Sequence, residues 1–159
     1  MPQIYVDADA CPVKAEVIRV AERHGMQVYI VSNGGIRPSG HPLVKEVAVS
    51  GAFDAADDWI VERVEPGDIV ITADIPLASQ CLERQAAVLG PTGKPFSKQN
   101  IGMALAMRDV MADLRAMGTV SGYNPAFKAA DRSRFLNELE RMVQQAKRRL
   151  PAQSRLSTK

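Results

Sequence analysis

The sequence predicts an α/β fold: a three-layer α/β/α sandwich around a mainly parallel central sheet. Two observations predict it. Short apolar runs of strand length alternate along the chain with longer segments whose apolar residues recur at helical spacing. Strands that alternate with helices imply parallel pairing, with helices on both faces of the sheet. The length of 159 residues suits one domain, and a hydrophobic content of 46% is enough for its core. One domain is expected over residues 1–150, followed by a loose polar tail at 151–159.

The elements follow in order. "QIYVDA" (3–8) reads as a buried strand. A helix is expected from about Pro12 to His24: Val13, Val17, Val20 and Ala21 give it an apolar face, Pro12 suits its first turn and Gly25 ends it. "QVYIVS" (27–32) is a second strand, and a long Gly/Pro loop (33–42) follows. "LVKEVAVS" (43–50) alternates apolar and polar residues, as a third strand should. "DAADDWIVERV" (54–64) is a short acidic helix, with Asp54 as its plain cap and Trp59 as its anchor to the sheet. "GDIVITAD" (67–74) is the most apolar strand and belongs at the centre of the sheet. Pro76 opens a helix to about Gln85, and "AAVLG" (86–90) is the next strand. Residues 97–118 form a long helix whose stripe Met103, Met107, Val110, Leu114, Met117 is expected in the core. A loop with Gly122 and Pro125 leads to a last helix from about Asp131, with the stripe Phe135, Leu139, Met142, Ala146, Leu150.

Composition narrows the classes of function. No apolar run approaches the ~20 residues that span a bilayer. The start, Met1-Pro2-Gln3, lacks the basic and apolar regions of a signal peptide. Two cysteines make no disulfide framework, so a cytoplasmic location is expected. The net charge of +2 conceals an asymmetry. Residues 1–90 carry 7 Lys and Arg against 13 Asp and Glu, and residues 91–159 carry 13 against 5. An acidic half suits cations and a basic half suits phosphates.

The acids cluster by position. Asp7 and Asp9 sit where the first strand ends, and Asp74 sits where the central strand ends. Asp57 and Asp58 lie on the short acidic helix, where adjacent residues cannot both face one site. Taken singly, Asp9 and Asp74 read as caps of the helices that follow them. Taken together, the acids are brought to one end of one sheet, where ligand sites of such folds lie. A divalent cation would relieve their repulsion, and oxygen-only ligands favour Mg²⁺ or Mn²⁺.

The strings "VDADACPVK", "DAADDWIV", "GDIVITADIPLA" and "NIGMALAMRDVMADLRAMG" resemble the YaiI/YqxD family, also called UPF0178 or DUF188, over about residues 3–145. Where that family commonly carries Gly-Gly-Pro, this chain has "SGYNPAF" (121–127). The family is grouped with PIN-like domains, which are metal-dependent nucleases. The resemblance therefore implies a nuclease, with RNA favoured over DNA as substrate. It also implies that Asp7, Asp9, Asp57 (or Asp58) and Asp74 are the acidic residues of the site, acting on a phosphodiester through Mg²⁺ or Mn²⁺.

For such a substrate, Ser32 and Asn33 at the end of the second strand would bond a phosphate or a metal-bound water. Lys14, Lys94, Lys98 and Arg108 are the nearer candidate cations. Arg132 and Arg134 stand with them, and Lys147, Arg148 and Arg149 lie further out. Two other readings remain. One is a haloacid-dehalogenase-like phosphatase with Asp7 as nucleophile, Ser32 in its second motif and Lys45 as its lysine; its last acidic pair is incomplete, because Gly67-Asp68 precede the strand that only Asp74 follows. The other is a non-catalytic module that binds RNA or protein. The sheet edge and the last helix are the candidate faces for a homodimer.

Several features read as structural. Cys11 lies near a helix start but has no sequence-near histidine as base, and Cys81 reads as core. His24 and His41 make no zinc spacing with the cysteines. "GPTGKP" (90–95) has too short a glycine spacing for a phosphate loop, and Pro95 stands where the magnesium-binding hydroxyl should be.

Overall fold

The computed structural model of the chain describes residues 2–8, 13–33, 40–49, 55–103, 106 and 129–148. In chain order these form β1 (Ile4–Asp7), α1 (Lys14–His24), β2 (Val28–Ser32), β3 (Val44–Ala48), α2 (Ala55–Arg63), β4 (Ile69–Ile71), α3 (Ile75–Glu83), β5 (Ala87–Leu89) and β6 (Pro95–Phe96). A fourth helix, α4, starts at 98 and is described to 103, and α5 is Ala129–Arg148.

The six strands make one sheet in the order β3-β2-β1-β4-β5-β6. All pairs are parallel except β5 with β6. The most apolar strand, β4, pairs with β1 at the centre, as its composition predicts.

Alternation along each strand divides the core in two. Ile4 and Val6 of β1, with Val28, Ile30, Ile69 and Ile71, face a layer made by α1 and α5. Tyr5, Val31, Val70 and Val88 face the opposite layer, made by α2, α3 and the start of α4. This is the expected three-layer α/β sandwich. Each fully buried aliphatic or phenyl side chain here contributes about 1.5–3 kcal/mol. The stripe of α5 falls as its spacing predicts: Phe135, Leu139 and Met142 are buried, with Val143 beside them. Trp59 anchors α2 as expected, its ring 5.8 Å from that of Tyr29 and 6.2 Å from that of Tyr5.

The structure departs from the sequence reading in four places. α1 starts at Lys14 rather than Pro12, with Val13 at its N-cap and no side-chain cap there. α3 ends at Glu83, because Gln85 takes a positive φ of 67° and turns the chain into β5. β6 is unexpected: two residues after the turn at 91–94 fold back antiparallel on β5. Met103, expected in the core, is 75% exposed, and Ile101 is the buried one among the described residues of α4. Pro12, Asp54, Gly122, Pro125, Leu150 and the stripe Met107, Val110, Leu114, Met117 lie outside the described residues, as does the 151–159 tail. Among the described residues, no helix is long and apolar enough to cross a membrane.

Candidate functional site

The chain leaves β1 in one direction, toward β2 and β3, and occupies the other side of the sheet with β4 and β5. The topological switch point therefore lies between β1 and β4. Side chains just beyond the carboxyl ends of these two strands line the crevice where open α/β sheets bind ligands.

Asp7 closes β1 there, and it is only 6% exposed. The register pairs Val6 with Ile71, so the next residues, Asp7 and Thr72, stand side by side. Thr72 is fully buried. Its hydroxyl donates to Oδ2 of Asp7 at 2.9 Å and accepts the backbone N–H of Asp74 at 2.9 Å. Asp74 is the N-cap of α3: its Oδ1 accepts the N–H of Leu77 at 2.9 Å, and Pro76 occupies the first turn. One hydroxyl thus couples a buried carboxylate to the start of a helix. Neutral donors, rather than a cation alone, supply part of the stabilisation that two neighbouring acids require.

The other flank is built by β2 and α2. Ser32 ends β2 and is buried. Asn33 follows it, and its Oδ1 accepts the N–H of Ala56 at 3.0 Å. A residue 23 positions upstream thereby satisfies an N–H of the first turn of α2 and brings that turn to the carboxyl edge of the sheet. Asp57 is half-buried in this turn, and Asp58 is exposed. The Cys81 thiol on α3 is pushed up to about 12, by burial first and by the charge of Asp57 second. Cys81 itself is core, as expected.

The expected cations are not gathered at this edge: β6 runs antiparallel to β5, so Lys98, just past it, stands with Pro66 and Gln85 toward the amino-terminal edge. Lys14 is exposed on the first turn of α1, Lys94 in the turn before β6, and Lys98 at the start of α4. Arg132 pairs with Glu16, and Arg134 reaches Asp131 and the carbonyl oxygen of Thr92, both at 3.4 Å. Lys147 lies 3.3 Å from Nδ1 of His24 at the far end of α5. Asp9, Cys11, Arg108 and Arg149 fall outside the described residues. Among the described residues, no three histidine, cysteine or acidic side chains are grouped so as to hold one metal ion.

Two residues absent from the sequence reading of the site belong to this edge. Thr72 stands in register with Asp7, and that pairing is the signal that identifies it. Glu16, at the start of α1, is buried and pairs with Arg132 in the first turn of α5. The phosphatase reading finds less. Lys45 lies exposed on the edge strand β3, with β2 between it and β1. Asp68 lies at the opposite, amino-terminal edge, where its two oxygens accept the backbone N–H groups of Gln3 and Glu65 at 2.9 Å each.

Comparison with known proteins identifies the family. A UPF0178 protein of Parvibaculum lavamentivorans is 62% identical over 95% of this chain and 99% of its own length. UPF0178 proteins of Agrobacterium fabrum and Rhizobium meliloti are 59% and 58% identical, over 92% and 91% of this chain and 96% and 99% of their own lengths. No solved structure matches. The family described as "Uncharacterized BCR, YaiI/YqxD family" matches residues 5–145, and with these relatives it shows that the chain belongs to the YaiI/YqxD (UPF0178) family.

Proposed function

We propose that this chain is a divalent-cation-dependent phosphodiesterase acting on nucleic acid, RNA in preference to DNA, with its centre at the carboxyl ends of β1 and β4. The observation that carries the reading is the Asp7–Thr72–Asp74 linkage at the topological switch point. The PIN-like likeness of the acidic strings supports it, as does the excess of Lys and Arg beyond residue 90.

The donor chemistry fits a hard cation. Asp7 and Asp74 offer only oxygen, and Mg²⁺ characteristically keeps several waters while binding one or two carboxylates and substrate phosphates. Two carboxylates are therefore enough for this class of ion, although no group of three is present among the described residues. Asp7 and Asp74 would hold the ion, with Asp9 and Asp57 as ligands or water-positioning groups. When bound, Mg²⁺ or Mn²⁺ supplies a water of lowered pKa and neutralises phosphate charge.

The chain's own residues do the positioning. Thr72 fixes the rotamer of Asp7 by donating to Oδ2, so the carboxylate is oriented before any ligand arrives. The cap to Leu77 does the same for Asp74. The first turns of α2 and α3 both open at this edge, and helix N-termini favour the negative charge of a phosphate. Lys14 and Lys94 stand exposed for phosphates further along the strand, so affinity for RNA should fall steeply with salt.

The test is thermal denaturation with and without Mn²⁺, paired with cleavage of a labelled single-stranded RNA. The melting temperature is expected to rise with Mn²⁺ and cleavage to need it, with both effects lost in Asp7→Asn. A melting temperature indifferent to every divalent ion would overturn the proposal and leave a non-catalytic binding module.

A further inference from the structure

An open cavity of about 480 Å³ lies on the β4–β6 side of the acidic pair. Ala73 and Ile75, the residues on either side of Asp74, form one wall. Pro91, Pro95, Phe96 and Met103 add further apolar wall, and Asn100 and the exposed Lys94 are among the polar residues that also line it. The size falls within the range of small-molecule sites, which are mainly apolar with a few placed polar groups. The high exposure of Met103 has an explanation here, since its side chain borders the cavity rather than the core.

We infer that this cavity is a nucleobase subsite. The inference rests on the phosphodiesterase reading and names the part of the substrate that the acids do not touch. Three observations select a nucleotide over another apolar ligand. First, the walls combine an aromatic ring with a thioether and aliphatic groups, and such surfaces stack on any base because every base has a π-face. Second, the exposed Lys94 supplies a cation for the phosphate that a base necessarily carries in a nucleic acid. Third, the wall is continuous with Asp74 along the chain. A base held here presents its adjoining phosphodiester to the Asp7–Thr72–Asp74 edge.

The subsite is preformed. The turn that carries Pro91 and Lys94 is braced from behind by α5. Arg134 donates to the carbonyl oxygen of Thr92, and Gly93, at φ +89°, lies so close to α5 that an added Cβ would stand 2.7 Å from the backbone of Arg134 and Phe135. A wall fixed in this way loses little freedom on binding.

The experiment is a chemical-shift titration of the full chain in EDTA with adenosine 5′-monophosphate, uridine 5′-monophosphate and ribose 5-phosphate. Both nucleotides should bind at least about 10-fold more tightly than ribose 5-phosphate, as expected for stacking of one base. Ala73→Leu, which fills the cavity, should erase most of that preference at an unchanged melting temperature; Phe96→Leu, which removes the ring, should erase it too, at a somewhat lower melting temperature because Phe96 packs against the core. Lys94→Gln should weaken all three ligands. Equal binding of nucleotide and ribose 5-phosphate overturns the subsite, as does a nucleotide preference that survives Ala73→Leu. Because no divalent ion is present, the outcome is separable from the catalytic reading. Base-selective binding without any response to Mn²⁺ supports the subsite and refutes the hydrolase. Mn²⁺-dependent cleavage without base-selective binding does the reverse.

Discussion

Replacing Thr72 by Val tests the coupling at the centre of the site, because the two side chains have nearly the same volume and differ by one hydroxyl. That hydroxyl makes two bonds of 2.9 Å, one to the carboxylate of Asp7 and one to the N–H of Asp74. Thr72 is fully buried and Asp7 is 6% exposed, so water cannot readily replace the donor. A hydrogen bond to a charged group contributes about 1.5–3 kcal/mol. The Asp74 amide is only part-buried and finds water more easily, adding up to about 1 kcal/mol. Thr72→Val should therefore cost about 1.5–4 kcal/mol in urea denaturation, at an unchanged m-value. Thr72→Ser is the control: it keeps both bonds and loses a buried methyl group, costing about 1 kcal/mol. If Val is as stable as Ser or more so, Thr72 is a packing residue and the linkage has no energetic substance.

Two further outcomes follow from titratable groups away from the site. Burial raises the pKa of Asp68 above its ordinary 3.8, against the lowering effect of the Gln3 and Glu65 amides. A raised folded-state pKa contributes stability that is full below pH 3.8 and is lost as pH climbs through the folded value, so the stability difference between the native chain and Asp68→Asn should shrink as pH rises from 3.8; a difference that grows instead would contradict the assignment. The Cys81 thiol, raised to about 12 chiefly by burial, should resist iodoacetamide at pH 8 in the folded Cys11→Ser chain and alkylate fully in denaturant, as followed by intact mass.

The architecture was largely legible because its determinants are local. Period-2 and period-3.6 patterns name the strands and helices, and alternation of the two names a parallel sheet. What escaped depends on contacts distant in sequence. Nothing near Thr72 announces that β1 will lie beside it, 65 residues away, with an aspartate in register. An N–H in the first turn of α2 is satisfied by Asn33, 23 residues upstream, a partner that local capping rules do not name. β6 is two residues long and includes a proline, which carries almost no strand propensity; it exists because β5 offers an open edge. Met103 continues a helical stripe with Met107 and Leu114, but at the start of α4 the neighbouring layer is engaged by Ile101. Asp74 caps α3, as its place before Pro76 suggests when it is read singly.

The seating of α5 has a consequence for how the chain is made. Among the described residues, one face of the sheet is closed by α1 and α5, and the side chains of Phe135, Leu139, Met142 and Val143 belong to that layer. Synthesis runs from the N-terminus, so every parallel strand leaves the ribosome before this helix does. During that interval a row of isoleucine and valine side chains stands in water, open to other nascent chains. Premature termination before residue 129 would make the exposure permanent, and the truncated product would be a substrate for chaperones and proteases rather than a smaller working protein.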